Sequence, residues 1–133
     1  MLKTFAVRLI SRLARIKAHM TNSCIFCKIV AKEANATIVY SDEQVTAFRD
    51  IHPVAPTHIL VVPNKHIESV DVLEAKDEQL MGHLFTVASQ LAKEEGISSN
   101  GYRLITNTGV EAGQTVFHIH VHLIGGGRMQ KMD

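Results

Sequence analysis

The pattern of apolar and polar residues divides the chain beyond residue 20 into short strand-like runs and one longer helical run. Three runs, ATIVYS, QVTAFRD and THILVVP, are rich in β-branched and aromatic residues, and polar turns separate them, so each predicts a strand. Residues 77–95 carry apolar side chains every three or four positions and Gly96 follows them, which predicts an amphipathic helix that ends there. The principal apolar row of that helix is Leu80, Leu84, Val87 and Leu91.

Two more strands and a short helix complete the predicted fold. GYRLITN and TVFHIHVHLI predict strands joined by the glycine-bearing loop TGVEAG, and SCIFCKIVAKE predicts a short helix that begins at Ser23. Because strands joined by short turns favour antiparallel pairing, we predict the α+β class, with a five-stranded antiparallel sheet, one long helix and one short helix. A second apolar row on the long helix either widens its core-facing stripe or contacts a second subunit. That row is Met81, Phe85 and Ala88.

Three of the eight histidines occupy alternate positions in FHIHVHL, residues 117–123. In a strand, successive side chains point to opposite faces, so His118, His120 and His122 share one face, and the intervening apolar residues share the other. A neutral imidazole is a good nucleophile near pH 7, and its attack on phosphorus forms a phosphoimidazole that water can cleave. Neighbouring histidines supply hydrogen-bond donors for phosphate oxygens and an acid for the leaving group. Solvated histidines on a sheet face, or a metal triad, are the alternatives that the pattern leaves open.

Composition and charge narrow the class of protein. A chain of 133 residues with 46% hydrophobic residues has the size and composition of one globular domain. Residues 1–20 hold five basic and no acidic side chains, whereas residues 21–133 hold nine basic and 13 acidic ones. This mildly acidic body disfavours nucleic-acid binding, and no apolar run has the length of a transmembrane helix. We therefore predict a basic N-terminal extension, residues 1–20, followed by a single domain, residues 21–133, in a cytoplasmic protein.

The N-terminal extension has several interpretations. MLKTFAVRLISRLARIKAHM is arginine-rich and carries apolar residues at helical spacing, as amphipathic transit peptides do. A flexible extension, or translation from a start codon upstream of Met20, is the simpler interpretation. Targeting to mitochondria or another organelle and a helix at a membrane surface are the alternatives.

Four segments of the sequence carry a family resemblance. HIHVHLI matches the pattern His-x-His-x-His-x-x with apolar x. FRDIHPVAPTHILVVPNKHI, GYRLITNTG and AGQTVFHIHVHLIGG, together with that motif, are similar in order and spacing to the Hint branch of the histidine-triad (HIT) family. The resemblance extends from about Cys24 to Gly127. It implies a HIT-like fold, a homodimer whose sheet continues across both protomers, and a purine nucleotide substrate.

The resemblance also implies the activity. It indicates hydrolysis of the P–N bond of a purine nucleoside 5′-phosphoramidate, such as an amine-linked AMP, through a nucleotidyl-histidine intermediate. Members that hydrolyse diadenosine polyphosphates tend to have a proline–arginine pair where this chain has IGG, so that activity is the alternative. A nucleotide-binding or scaffolding protein with incidental hydrolysis is a further alternative. An extra glycine in GGGRMQKMD departs from the Hint pattern and bears on the preference for the leaving group.

Each candidate site residue receives its role from the resemblance. His120 would be the nucleophile, His122 would bind phosphate and assist the leaving group, and His118 would orient the site. His58 would join this catalytic cluster from a neighbouring strand, and Asp50 would receive the ribose hydroxyls. Besides His120, His122 and Asp50, the positions implied in nucleotide binding are Ile51, Asn107, Gly113, Gln114 and Thr115.

The two cysteines form a Cys-x-x-Cys pair, CIFC, at the start of the short helix. Such a pair alone is weak evidence for a metal because a structural zinc site needs four ligands, and two buried reduced cysteines are the simpler interpretation. Some bacterial histidine-triad proteins hold zinc at the positions that match Cys24, Cys27, His66 and His118. That resemblance predicts one structural zinc ion per chain and no organic cofactor.

Overall fold

A computed structural model describes residues 23–132 of the chain. Within these residues there are five strands, β1 (Ile38–Ser41), β2 (Val45–Arg49), β3 (Thr57–Pro63), β4 (Tyr102–Ile105) and β5 (Val121–Gly125). The two α-helices of this range are α1 (Ile25–Val30) and α2 (Glu78–Glu94), and single 3₁₀ turns lie at Val70–Val72, Ala75–Asp77 and Val110–Ala112. The strands form one antiparallel sheet in the order β1–β2–β3–β5–β4. The predicted α+β class is confirmed.

The long helix α2 covers one face of the sheet. Its buried side chains pack against β2, β3 and β5 and form an apolar core that excludes water. The helical members of this core are Leu84, Val87, Ala88, Leu91 and Ala92. The three residues of the second predicted apolar row differ in burial. Ala88 is fully buried and Met81 packs at the edge of the core, whereas Phe85 is 49% exposed. Phe85 therefore remains available for a contact outside the protomer.

The short helix α1 packs on the opposite face of the sheet, where the histidines lie. Phe26 and Ile29 are buried against apolar side chains of β2 and β3. The predicted start at Ser23 is two residues early: α1 begins at Ile25, and Cys24 is its N-cap residue. The Cys24 Sγ accepts a hydrogen bond from the backbone N–H of Cys27 at 3.4 Å, which satisfies an amide of the first turn.

β1 and β2 form an antiparallel hairpin, and Asp42 organises its turn. The Oδ1 atom of Asp42 accepts the backbone N–H groups of Gln44 and Val45, both at 2.7 Å. The Oδ2 atom lies 2.6 Å from both the Tyr40 hydroxyl and Nε2 of His83 in α2. Burial raises the pKa of Asp42, but these hydrogen bonds outweigh it and hold that pKa well below its usual range. The turn thus connects the hairpin to the long helix.

The last strand is shorter than predicted. β5 begins at Val121, so His122 lies in the strand, whereas His118 and His120 precede it. The last residue pair between β3 and β5 is Val61 opposite Val121. If the pairing continued, His120 would lie opposite Val62 and Ile119 would lie opposite Pro63. Proline has no N–H to donate to a sheet ladder. Instead, Ile119 N–H donates to the carbonyl of Ile67 at 2.6 Å, outside the sheet.

The predicted N-terminal extension, residues 1–20, lies outside the described residues, and so do its alternative interpretations. In residues 23–132, no helix combines the length and the apolar character needed to cross a membrane.

Candidate active site

Three histidine rings meet on the face of the sheet that α1 covers. His58 in β3 lies opposite Ile124, and His122 in β5 lies opposite Leu60, so the two histidines are diagonal neighbours on one face. Nε2 of His58 lies 2.9 Å from Nδ1 of His122. The ring of His120 lies 5.0 Å from that of His122, centroid to centroid. The structure therefore brings together the rings of His58, His120 and His122.

The ring of His120 is buried and held in one orientation. Its Nδ1 atom lies 2.7 Å from the carbonyl oxygen of His118 and donates a hydrogen bond to it, because a carbonyl can only accept. The edge of Phe26 contacts the ring at a centroid distance of 5.0 Å and an interplanar angle of 90°. Burial lowers the pKa of His120, opposed by the His118 carbonyl and Asp50. At pH 7 the ring is thus neutral, with its lone pair on Nε2.

His122 is also neutral at pH 7. Burial, followed by the neighbouring His120 and His58, lowers the pKa of His122 to about 4, while Asp50 opposes the shift. The Oδ2 atom of Asp50 lies 3.4 Å from Nε2 of His58, and its Oδ1 atom accepts the backbone N–H of His52 at 2.8 Å. The carboxylate of Asp50, which was predicted to bind the ribose, therefore lies beside the histidine cluster.

The loop that carries the predicted nucleotide-binding residues Gly113 and Gln114 has a constrained backbone. Gly113 has φ +85°, in the left-handed region that favours glycine, and ends the 3₁₀ turn Val110–Ala112. The side chain of Gln114 is buried, donates to the carbonyls of Glu68 and Val116, and accepts the N–H of Gly109. Gln114 therefore ties the loop to the segment after β3.

The remaining predicted nucleotide-binding positions are accessible. Asn107 is half-buried just beyond β4, and Thr115 is exposed beside Gln114. Ile51, which follows Asp50, is 83% exposed, so its side chain is free to contact a ligand.

The cysteines of α1 meet two histidines at one point. Ligand atoms of Cys24, Cys27, His66 and His118 all lie within 4.8 Å of one another. Nδ1 of His66 lies 3.2 Å from Nδ1 of His118, and three of the four cysteine–histidine distances are 3.3 to 3.5 Å. A zinc tetrahedron with Zn–N of about 2.05 Å and Zn–S of about 2.3 Å has edges of about 3.3 Å for N–N and about 3.5 Å for N–S. The donor set and its spacing fit a tetrahedral metal ion.

His118 connects this cluster to the nucleophile. Its buried ring donates from Nε2 to the carbonyl of Pro63 at 2.8 Å, which leaves Nδ1 with the lone pair that a metal requires. Burial is the main cause that lowers the pKa of His118 to about 4, and burial raises the pKa of the Cys27 thiol to about 12. A metal would therefore bind a neutral imidazole and displace a proton from the thiol. The backbone carbonyl of His118 meanwhile receives the hydrogen bond from His120.

Phe26 is a site residue that the sequence did not reveal. Besides His120, its ring contacts Phe48 at 5.3 Å and His118 at 5.9 Å, so it lies between both histidine clusters. In the sequence it is one apolar residue of a short helix. Its position between the two Cys-x-x-Cys thiols is the one signal that placed it near the predicted metal site.

Comparison with known proteins agrees with this geometry. The HIT domain profile matches residues 31–129. A purine nucleoside phosphoramidase of Escherichia coli strain K12 is 52% identical over 107 residues, which cover 80% of this chain and 90% of the relative.

Solved structures with the same architecture support the match. A HIT family hydrolase from Legionella pneumophila Philadelphia 1 has a TM-score of 0.80 at 46% identity, covering 80% of this chain and 96% of that one. A histidine triad protein from Clostridium difficile has a TM-score of 0.81 at 42% identity, covering 84% and 96% respectively. The sheet, its helices and the gathered histidines define the histidine-triad class of protein. This chain belongs to the HIT family.

Proposed function

We propose that this HIT-family hydrolase cleaves the P–N bond of purine nucleoside 5′-phosphoramidates through a nucleotidyl-histidine intermediate. The observation that carries the proposal is the state of His120, which is buried and neutral and has Nδ1 engaged by the His118 carbonyl. Its Nε2 lone pair is thereby prepared for attack on phosphorus. The relative named purine nucleoside phosphoramidase, at 52% identity, supports the substrate class.

The reaction proceeds in two steps. First, Nε2 of His120 attacks the α-phosphorus, the P–N bond breaks, and the leaving amine takes a proton that His122 passes on from solvent, so that the His122 ring is neutral before and after the step. Water then attacks the same phosphorus, the bond between phosphorus and Nε2 breaks, and one proton of the water returns to solvent by way of His122. The nucleoside monophosphate leaves, and each P–N bond consumes one water molecule.

The remaining predicted residues hold the nucleotide. We infer that Asp50 receives the ribose hydroxyls, since a carboxylate accepts two hydrogen bonds, and that Ile51 contacts the nucleoside. Asn107 and Thr115 provide polar groups on the phosphate side. Gly113 and Gln114 shape the loop between them, because the side-chain hydrogens of Gln114 are already donated to Glu68 and Val116.

We also propose one structural zinc ion per chain, bound by Cys24, Cys27, His66 and His118. Four protein ligands complete a tetrahedron and leave no position for substrate, so the ion would fix structure without taking part in the reaction. The tetrahedral spacing of the four donor atoms supports this assignment.

A side-by-side assay tests the activity. We expect the purified chain to hydrolyse adenosine 5′-phosphoramidate with a kcat/KM at least tenfold above that for a diadenosine polyphosphate, because a relative with 52% identity is named a purine nucleoside phosphoramidase. Release of AMP is measured for both substrates on one preparation. The reverse order of kcat/KM would assign the chain to polyphosphate hydrolysis, and slow turnover of both would favour a nucleotide-binding role.

We propose that the chain is a homodimer. The resemblance predicts pairing through the long helix and a sheet edge, and β1 and β4 are the two edges of the described sheet. Phe85 on α2 is 49% exposed, and a partner helix would cover its ring. Light scattering at micromolar concentration should return twice the chain mass of 14.7 kDa. A monomer mass would contradict the dimer.

A further inference from the structure

We propose that the backbone amide of Val54 sets the tautomers of His58 and His122, which makes loop 50–56 a positioning element of the active site. The N–H of Val54 donates to Nδ1 of His58 at 3.2 Å. A ring nitrogen that accepts a hydrogen bond must carry its lone pair there. A neutral His58 therefore carries its hydrogen on Nε2.

The neighbours of His58 Nε2 lead independently to the same tautomer. Asp50 Oδ2 lies 3.4 Å away, and an ionised carboxylate can only accept. Nδ1 of His122 lies 2.9 Å away and accepts the same hydrogen more closely. A hydrogen on His58 Nδ1 instead would oppose the Val54 N–H and place a lone pair of Nε2 toward Oδ2 of Asp50. Both ends of the ring thus require hydrogen on Nε2.

The tautomer of His122 follows from that of His58. Because Nδ1 of His122 accepts the hydrogen bond, its neutral ring carries hydrogen on Nε2, the ring nitrogen that faces away from His58. His120 has the opposite arrangement, with hydrogen on Nδ1 and the lone pair on Nε2. Two backbone groups, the amide of Val54 and the carbonyl of His118, thereby give the neighbouring rings of His122 and His120 opposite tautomers. This inference rests on the proposed function, in which one ring attacks and the other donates a proton.

The same assignment decides what the Asp50–His58–His122 cluster can bind. These three residues lie close enough to hold a metal ion. With hydrogen on Nε2, however, His58 has no lone pair to offer toward Asp50 and His122. The cluster is therefore a hydrogen-bonded relay, in contrast to the cysteine-containing cluster, whose histidine Nδ1 atoms face the thiols.

A pair of substitutions at Val54 separates the amide from the side chain. The side chain is 73% exposed, so Val54→Ala keeps the N–H and removes little packing. Val54→Pro removes the N–H. Val54 does not have the positive φ that would exclude proline, because Lys32 is the one non-glycine residue with positive φ in residues 23–132. The wild type and both full-length variants are labelled with ¹⁵N-histidine, and NMR identifies which nitrogen of each ring is protonated. Hydrolysis of adenosine 5′-phosphoramidate gives kcat and KM.

The wild type and Val54→Ala should show His58 and His122 protonated on Nε2, and Val54→Pro should show a tautomer mixture. We expect kcat of the proline variant to be about tenfold below that of the alanine variant, with KM within twofold, because one orienting hydrogen bond is lost. Hydrogen on Nδ1 of His58 in the wild type would overturn the inference. So would a proline variant with unchanged tautomers and the kcat of the alanine variant.

Two further outcomes remain informative. If Val54→Pro fails to fold, the tautomers of the wild type and of Val54→Ala decide the assignment by themselves. If the wild type hydrolyses no phosphoramidate, the proposed function fails, whereas the NMR spectra still test the relay.

Discussion

Replacing His120 by glycine should lower turnover of adenosine 5′-phosphoramidate by about ten-thousand-fold or more, because no other described group replaces a lost nucleophile in covalent catalysis. Binding of AMP should stay within a few-fold of the wild type, since the ribose and phosphate positions at Asp50 and in the loop 107–115 are retained. Single-turnover kinetics measure the first effect, and calorimetric titration with AMP measures the second.

An exposed histidine provides the matched control for this experiment. His52 is exposed two residues beyond Asp50, and His52→Ala keeps the backbone N–H that Asp50 accepts. Its turnover should stay near the wild-type value. If His120→Gly retains turnover within tenfold of the wild type, the covalent mechanism is excluded.

The intermediate itself can be observed. Wild-type enzyme mixed with excess substrate and quenched in alkaline denaturant should carry a nucleotide adduct on the peptide that contains residues 117–123. An alkaline quench is needed because protonation of the ring nitrogen makes it a leaving group and breaks the bond to phosphorus. The His120→Gly variant should show no adduct on that peptide.

The elements of this fold were largely predictable because their patterns are local. Runs rich in β-branched and aromatic residues predicted the strands, and apolar spacing predicted α2 within one residue at each end, Glu78–Glu94 against 77–95. The start of β5 at Val121 was not predictable from its own residues. Its ladder stops where Pro63 of the partner strand cannot donate, and this depends on a register that only the folded sheet defines.

The site was predictable as a set of residues and unpredictable as a set of orientations. The spacing of His118, His120 and His122 predicted a shared strand face, but only His122 lies in β5. The ring of His118 contacts the cysteines, and its carbonyl orients His120. Such orientations depend on contacts between distant segments. The family resemblance supplied the identity of the residues, while the direction of each proton required the three-dimensional structure.

Removing zinc should destabilise the chain without changing the residues that perform the reaction. The purified protein should contain about one zinc ion per chain. Cys24→Ser should lose most of it, because serine is a poor replacement for a thiolate and also weakens the N-cap contact to Cys27. His52→Ala, a histidine substitution outside the cluster, should retain the metal. Elemental analysis of the three proteins compares their zinc content.

The expected loss of stability follows from mass action. A metal present at a thousand times its dissociation constant stabilises the folded state by about 4 kcal/mol. For a domain of this size, that corresponds to a decrease in Tm of roughly 10 °C or more when a chelator removes the metal. Calorimetry with and without added zinc measures the difference for the wild type and for Cys24→Ser. Because His118 belongs to the proposed metal site and its carbonyl holds His120, loss of zinc should also broaden the ring signals of His120 in NMR spectra. A wild-type protein that melts at the same temperature with and without zinc would refute the structural metal site.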